Sequence, residues 1–129
     1  MTMQKTTTPR FEISASTAWI AEESRPEQGY HFFAYRISIK NVGEIPAQLI
    51  SRHWIISDSH GRIEEVRGPG VVGQQPRIMP GETFEYESAC PLNSPHGSMK
   101  GSYTMISDEG EEFDVEIPEF WLVSPMALH

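Results

Sequence analysis

The chain has 129 residues, with ten basic and eighteen acidic side chains and a formal net charge of −8. A chain of this length forms one domain and buries enough surface to fold without a disulfide or metal staple, and its single cysteine excludes an intrachain disulfide. Residues 36–77 carry six basic and four acidic groups, whereas residues 78–129 carry one basic and ten acidic groups, so the last third would repel a nucleic-acid backbone.

The compartment is predicted from what the chain lacks. No apolar run approaches the ~18 residues that cross a bilayer, and the first eight residues have no apolar segment of the kind found in secretory signals. The lone Cys90 favours a reducing compartment. We therefore expect a cytoplasmic protein that is not embedded in a membrane.

Predicted strands follow one another along the chain, because ten prolines and ten glycines leave few segments long enough for a helix. Side chains alternate with period two in six segments. These segments contain Phe11, Ile13 and Ala15; Phe33, Tyr35, Ile37 and Ile39; Ile50, Trp54 and Ile56 on one face of residues 48–57, with Leu49, His53 and Ile55 on the other; Phe84 and Tyr86; Met99, Tyr103 and Met105; and Phe113, Val115 and Ile117. The pattern predicts an all-β, immunoglobulin-like sandwich of about seven antiparallel strands. We expect one domain over residues 1–129, with an ordered core over about residues 10–123 and loose ends.

Two similar turns separate these segments. Each begins with Ile-Ser-Asp and contains a glycine shortly after, at Asp58 to Gly61 and at Asp108 to Gly110. Aspartate opens tight turns through bonds to the backbone, and glycine tolerates positive φ. Each turn is predicted to close a hairpin.

The segment from Gly68 to Pro76 spells G-x-G-x-x-G, a pattern associated with nucleotide-phosphate loops. A dinucleotide fingerprint needs a helix that opens on its last glycine, and Pro76 and Pro80 prevent one here. Two interpretations stay open. The loop is either a tight connection where side chains would clash, which we favour, or a nest that binds a small anion. The residues of such an anion loop would be Arg67, Gly68, Gly70, Gly73 and Arg77.

Several longer stretches resemble the ApaG family signature. They include Ser51-Arg52-His53-Trp54, Glu65 to Gly73, Gln75-Pro76, Gly97 to Tyr103 and Ile117-Pro118. The resemblance covers about residues 10–123 and implies a fibronectin type III-like sandwich. It also implies a link with cobalt and magnesium efflux and resistance, and, from its eukaryotic relatives, a role as an interaction module. It supplies no set of catalytic residues.

The remaining reactive side chains are predicted to be structural. The five histidines lack the spacing of a local metal site, and His53 is expected to be a hydrogen-bonded sheet residue. The acidic run from Asp108 to Asp114 is expected to be a solvated turn, and Cys90 has no oriented base. We therefore expect no enzyme activity, no cofactor and no metal site.

The sequence thus predicts a non-enzymatic domain that binds an unidentified protein through the loop from Arg67 to Gln75 and an adjacent edge strand. The same edge would also allow homo-oligomers. Trp19, Trp54 and Trp121 would anchor a partner if exposed, although each is expected in the core. The alternative function is weak binding of a nucleotide or pyrophosphate at the glycine loop. The interaction hypothesis predicts that Gly70→Arg abolishes partner capture and leaves the fold intact.

Overall fold

The computed structural model describes residues 10–128, which form eight strands and three short 3-10 helices. The strands are β1 (Phe11–Trp19), β2 (His31–Asn41), β3 (Ala47–Asp58), β4 (Ile63–Pro69), β5 (Arg77–Ile78), β6 (Thr83–Leu92), β7 (His96–Ser107) and β8 (Glu112–Val123). The 3-10 helices span Ala21–Glu23, Pro26–Gln28 and Pro125–Leu128. None of the helices in residues 10–128 is long and apolar enough to cross a membrane.

The strands form two antiparallel sheets that pack as a sandwich, as the alternating pattern predicts. One sheet has the order β1-β2-β6 and the other β4-β3-β7-β8, with β5 paired to the start of β3. Strand β4 is not among the segments predicted from sequence, because its two glutamates and its Gly-Pro end give no clear alternation.

The core lies between the two sheets and is filled from both inner faces. Phe33, Ile37 and Ile39 of β2 are fully buried against residues of β3, β7 and β8. Trp54 is 3% exposed and lies near Tyr35 and Tyr103, with edge-on rings whose centroids are 5.6 and 6.3 Å from its own. Edge-on aromatic pairs of this kind add to the stabilisation that burial alone supplies.

A bulge in β3 corrects one predicted face. The register with β7 shifts between Leu49 and Ser51, so one residue is inserted and the side-chain alternation changes phase. Leu49 is therefore fully buried with Trp54 in the core, and its predicted place on the opposite face with His53 is wrong.

Both predicted hairpins are confirmed. Between β3 and β4 the amide of Asp58 donates to the carbonyl of Arg62, and between β7 and β8 the amide of Ser107 donates to the carbonyl of Glu111. The Asp58 carboxylate also accepts bonds from the amides of His60 and Arg62 at 2.9 Å. These bonds hold the pKa of Asp58 below its usual value, with the Arg62 amide as the main cause.

The two long sides of the sandwich differ. On one side β1 and β8 meet: the rings of Phe11 and Phe113 are stacked with centroids 6.4 Å apart, and the Thr17 hydroxyl donates to the carbonyl of Trp121. The Trp121 side chain is 59% exposed there, so its predicted core position is wrong. On the other side β4 and β6, which like β1 and β8 each pair with one neighbouring strand, are separated by a cleft.

Candidate functional site

The glycine loop is a tight two-residue hairpin turn. The amide of Val71 donates to the carbonyl of Gln74 at 2.8 Å, and the amide of Gln74 returns a bond at 2.9 Å. Val72 and Gly73 between them have φ of 42° and 79°. Positive φ at both central residues is the type I′ arrangement that suits the twist of antiparallel strands. The last glycine of the motif thus closes a turn and opens no helix.

Gly70 is required by close packing, and Gly68 lies tightly against the Arg52 side chain. A Cβ at Gly70 would lie 2.3 Å from the backbone oxygen of Gln74, and φ there is +59°. A Cβ at Gly68 would lie 3.0 Å from both terminal nitrogens of the Arg52 guanidinium. Because a side chain at position 70 has no room, Gly70→Arg would rebuild the loop and is not the clean test of binding that the sequence suggests.

The two arginines proposed for the anion loop lie apart from each other. Arg67 faces His53 in the β3 register and Arg77 faces Gln48, five positions away, or about 17 Å along the strand. Arg67 lies 3.5 Å from the Glu65 carboxylate. Arg77 is paired with a carboxylate of the β7–β8 turn. Phosphate binding by this loop stays a prediction, and these two side chains do not converge to support it.

The partner of Arg77 is Asp108, whose Oδ1 lies 2.9 Å from the Arg77 Nε. This hydrogen bond lowers the pKa of the Asp108 carboxyl below its usual value and raises that of Arg77. The predicted acidic turn is therefore tied to β5 at its first residue. Within residues 10–128, no three His, Cys, Asp or Glu side chains are arranged to hold a metal ion.

A different arginine, Arg52, lies on the inner face of the central strand β3. It shares the side-chain direction of Trp54, and its terminal Nη1 donates to the carbonyls of Pro69 and Gly70, both at 2.9 Å. Its register partner is Gly68, so the guanidinium lies across a residue without a side chain. No carboxylate of residues 10–128 lies within ion-pair distance of Arg52.

Arg52 forms part of the wall of the cleft between β4 and β6, whose volume is about 320 Å³. The cleft combines an apolar floor with a few polar groups at its sides, as ligand pockets commonly do. It is lined by Tyr35, Arg52, Trp54, Ile56, Glu64, Val66, Ser88, Ala89, Cys90, Pro91 and Met99. A smaller depression of about 80 Å³ continues it past Glu64 towards Asp58 and Arg62.

The polar groups of the cleft are not arranged for nucleophilic chemistry. Cys90 is 4% exposed, and burial, with a smaller contribution from Glu64, raises the pKa of its thiol to about 11. Burial also raises the pKa of the Tyr35 hydroxyl. Both groups are therefore neutral at physiological pH, and the thiol is not activated as a nucleophile.

The outer face of the five-stranded sheet carries a second, shallower depression. His53 lies there with its Nε2 2.7 Å from the Glu65 carboxylate, which confirms the prediction of a hydrogen-bonded sheet residue. Lys100, Glu116 and Glu119 line the same depression, whose volume is about 460 Å³. No buried side-chain nitrogen or oxygen atom of residues 10–128 is left without a hydrogen-bond partner.

The fold and the cleft define a class: a small antiparallel β-sandwich closed on one side and open on the other. The family model for the ApaG domain matches residues 21–107. The curated ApaG protein of Bdellovibrio bacteriovorus is 60% identical, over 98% of this chain and all of that protein. The ApaG protein of Dechloromonas aromatica is 51% identical over the same shares. The chain belongs to the ApaG family.

Solved structures agree with this assignment. A Bordetella pertussis structure, named for an ApaA protein, is 50% identical and superposes with a TM-score of 0.88 over 91% of this chain and 95% of that one. A protein from Archaeoglobus fulgidus superposes with a TM-score of 0.52 at 10% identity, over 89% of this chain and 98% of that one. The second likeness shows the fold alone.

Proposed function

We propose that this ApaG-family chain is a non-enzymatic, cytoplasmic protein-interaction module that captures an extended partner segment along its open side. The observation that carries the proposal is the asymmetry of the sandwich. Strands β1 and β8 contact one another at their facing edges, whereas β4 and β6 are separated and leave two strand edges beside a cleft. Unpaired edges offer backbone groups to an added strand, and an adjacent cleft supplies side-chain specificity.

This surface adjoins the loop that the sequence singles out. Strand β4 ends at Pro69, and the turn at Val72 and Gly73 follows directly. The Val72 side chain is 50% exposed at the tip of that turn. A partner strand beside β4 would therefore reach the glycine loop at one end.

A partner of a different sequence fits the open side better than a second copy does. The exposed positions of β6 include Glu85 and Glu87, and a two-fold pairing of β6 with itself would bring these like charges together. Pro91 near the end of β6 also removes one backbone donor from that strand. Both features are common protections against edge-to-edge self-association.

Cross-linking at the strand edge tests the proposal. Ala89 is exposed on β6 and lines the cleft, so a photoactivatable phenylalanine analogue at that position should give a discrete cross-linked protein in cells. The matched control places the analogue at Ser14, which is exposed on β1 at the closed side. Cross-links that are absent from Ala89, or identical at both positions, would contradict the proposal.

The link with cobalt and magnesium tolerance would then be indirect, through the captured protein. A strain whose only copy has a blocked cleft should match a deletion strain in its growth with Co²⁺. Growth at the wild-type level would separate cation tolerance from the cleft.

Phosphate binding at the glycine loop is the second candidate. The amides of Val72 and Gly73 at the tip of the turn have no backbone acceptor within residues 10–128. Titration with pyrophosphate and ATP should shift these two amide signals in NMR spectra. Unchanged signals at millimolar ligand would end this hypothesis.

A further inference from the structure

We propose that the cleft between β4 and β6 recognises an acidic side chain of an extended peptide: Arg52 binds the carboxylate, and an apolar residue two positions away packs on Val66, which lies beside the buried Trp54. This inference rests on the proposed function and names the chemistry of its partner. The peptide would lie along the open side, with alternate side chains entering the cleft.

The first argument is the uncompensated charge of Arg52. The side chain is half-buried on the inner face of β3, where the neighbouring positions of the same face are apolar. Its Nη1 is held by two carbonyl oxygens, but no carboxylate of the described residues lies within 4 Å of it. A guanidinium removed from water is ordinarily paired with an anion, and it binds carboxylates in a bidentate manner. The fold thus holds a cation whose counter-ion is absent from residues 10–128.

The second argument is the way in which the guanidinium is positioned. Gly68 faces it in the register, and a Cβ there would come within 3.0–3.1 Å of three guanidinium atoms. A glycine inside a strand costs stability relative to other residues. At this position the glycine leaves room for the Arg52 guanidinium next to β4, while the carbonyls of Pro69 and Gly70 hold one of its nitrogens. A guanidinium that is already held in its binding geometry loses little conformational entropy when it binds a carboxylate.

The third argument is the distribution of charge along the cleft. Glu64 pairs with Ile56, four positions from Arg52 along β3, so it lies about 13 Å away at the far end. Asp58 and Arg62 line the small depression beyond it. The Arg52 end is therefore the positive end, and a second acidic residue near Glu64 would be repelled.

The spacing of the inner face sets the spacing of the ligand. Arg52 and Trp54 are two residues apart, about 7 Å, which is also the distance between alternate side chains of a peptide strand. Val66 is the register partner of Trp54 and completes the apolar part of the floor. An apolar residue followed or preceded two positions away by glutamate matches both contacts. A free carboxylate would use only the Arg52 end.

The test is an NMR titration of the intact, isotopically labelled protein at physiological salt. The probes are the capped peptide acetyl-Ser-Thr-Val-Thr-Glu-Ser-amide, the same peptide with Gln in place of Glu, and acetate alone. We expect the Glu peptide to shift the Trp54 indole and the amides of Val66 and Ser88. The Gln peptide should bind about tenfold more weakly or worse, because a charge-assisted hydrogen bond is lost.

Variants of the protein complete a double-mutant cycle. Arg52→Gln should lose the same factor for the Glu peptide and should no longer distinguish it from the Gln peptide. The control Arg36→Gln changes an exposed arginine on the outer face of β2 and should leave affinity unchanged. Should Arg52→Gln fail to fold, Ser88→Trp fills the cleft and leaves Arg52 in place. Its control is Ser102→Trp, on the outer face of the other sheet.

Three outcomes would overturn the inference: equal binding of the Glu and Gln peptides, no peptide binding at all, or acetate alone binding as tightly as the Glu peptide in an Arg52-dependent way. The last would assign the cleft to a small carboxylate. Cross-links at Ala89 together with equal peptide affinities would leave the proposed function standing and remove only this inference. A lack of both would remove the two together.

Discussion

Two tyrosines bridge the sheets at the base of the open side, and they allow a quantitative test of the packing. The hydroxyls of Tyr86 on β6 and Tyr103 on β7 are 2.5 Å apart, and the two residues are 7% and 0% exposed. Burial raises the pKa of both, so both are protonated at neutral pH and one donates to the other. Neither hydroxyl bonds to any other group of residues 10–128.

Removal of either hydroxyl leaves the other buried without a partner. We therefore expect Tyr86→Phe and Tyr103→Phe each to lower the free energy of unfolding by about 1–3 kcal/mol, the desolvation cost of an unsatisfied polar group. The double variant removes both polar groups and should cost less than the sum of the singles. The expected coupling between the two substitutions is about 1–2 kcal/mol.

Urea unfolding monitored by tryptophan fluorescence measures these values, with the slope m compared among variants to confirm that only stability changes. Tyr30→Phe is the control, because Tyr30 is half-buried and its hydroxyl has no bond to the described residues. If the two single effects add to within about 0.5 kcal/mol, the hydroxyls do not depend on each other and the reasoning fails.

Four further predictions concern single positions. Gly101→Ala should cost several kcal/mol in urea unfolding, because its Cβ would lie 1.9 Å from a backbone oxygen of β3; a cost below about 1 kcal/mol would contradict the packing. Val72→Asn should raise the free energy of unfolding by about 1 kcal/mol, since a β-branched residue at φ 42° is strained and Asn-Gly suits this turn; a lower value would mean that the strain is absent. Cys90 should resist iodoacetamide at pH 7–8 in the folded protein and react at once in denaturant. Because burial raises the folded-state pKa of the thiol to about 11, the free energy of unfolding should also fall as pH rises from 9 towards 11. The pairing of Asp108 with Arg77 depresses the pKa of Asp108 below its unfolded value of 3.8. The contribution of this pair to stability is therefore present above pH 3.8 and disappears as pH falls through the folded-state pKa. The difference in unfolding free energy between the protein and Asp108→Asn should shrink over the same range, and a constant difference would refute the pairing.

The layers of the fold can be predicted from sequence because alternation reports burial directly. The large side chains from Phe33 to Ile39 alternate with Ala34, Arg36 and Ser38 and form the buried face of β2 as expected. The exceptions are local. The bulge after Leu49 reverses the alternation of inward and outward side chains in β3, and no composition rule indicates where such a residue is inserted. Trp121 lies on an edge strand, where a large aromatic side chain can stay at the surface.

The site is less predictable because it depends on contacts between distant residues. Arg52 alternates with the same two-residue spacing as Trp54 and Ile56, and this spacing indicates that an arginine occupies an inner-face position. The space that admits it comes from Gly68, sixteen residues later, in a segment whose glycines first suggest a phosphate loop. Only the β3–β4 register shows that this glycine accommodates the guanidinium.

The position of β1 and β8, the first and last strands of the chain, has a practical and an architectural consequence. Strand β1 begins next to Phe113 and β8 continues past Trp121 beside Thr17, so the two strands that carry the chain's ends run together along the same flank. The start of β1 at Phe11 and the end of β8 at Val123 therefore both lie on the flank opposite the cleft. The unit can be joined to other polypeptides at either end while the cleft proposed to bind a partner stays accessible.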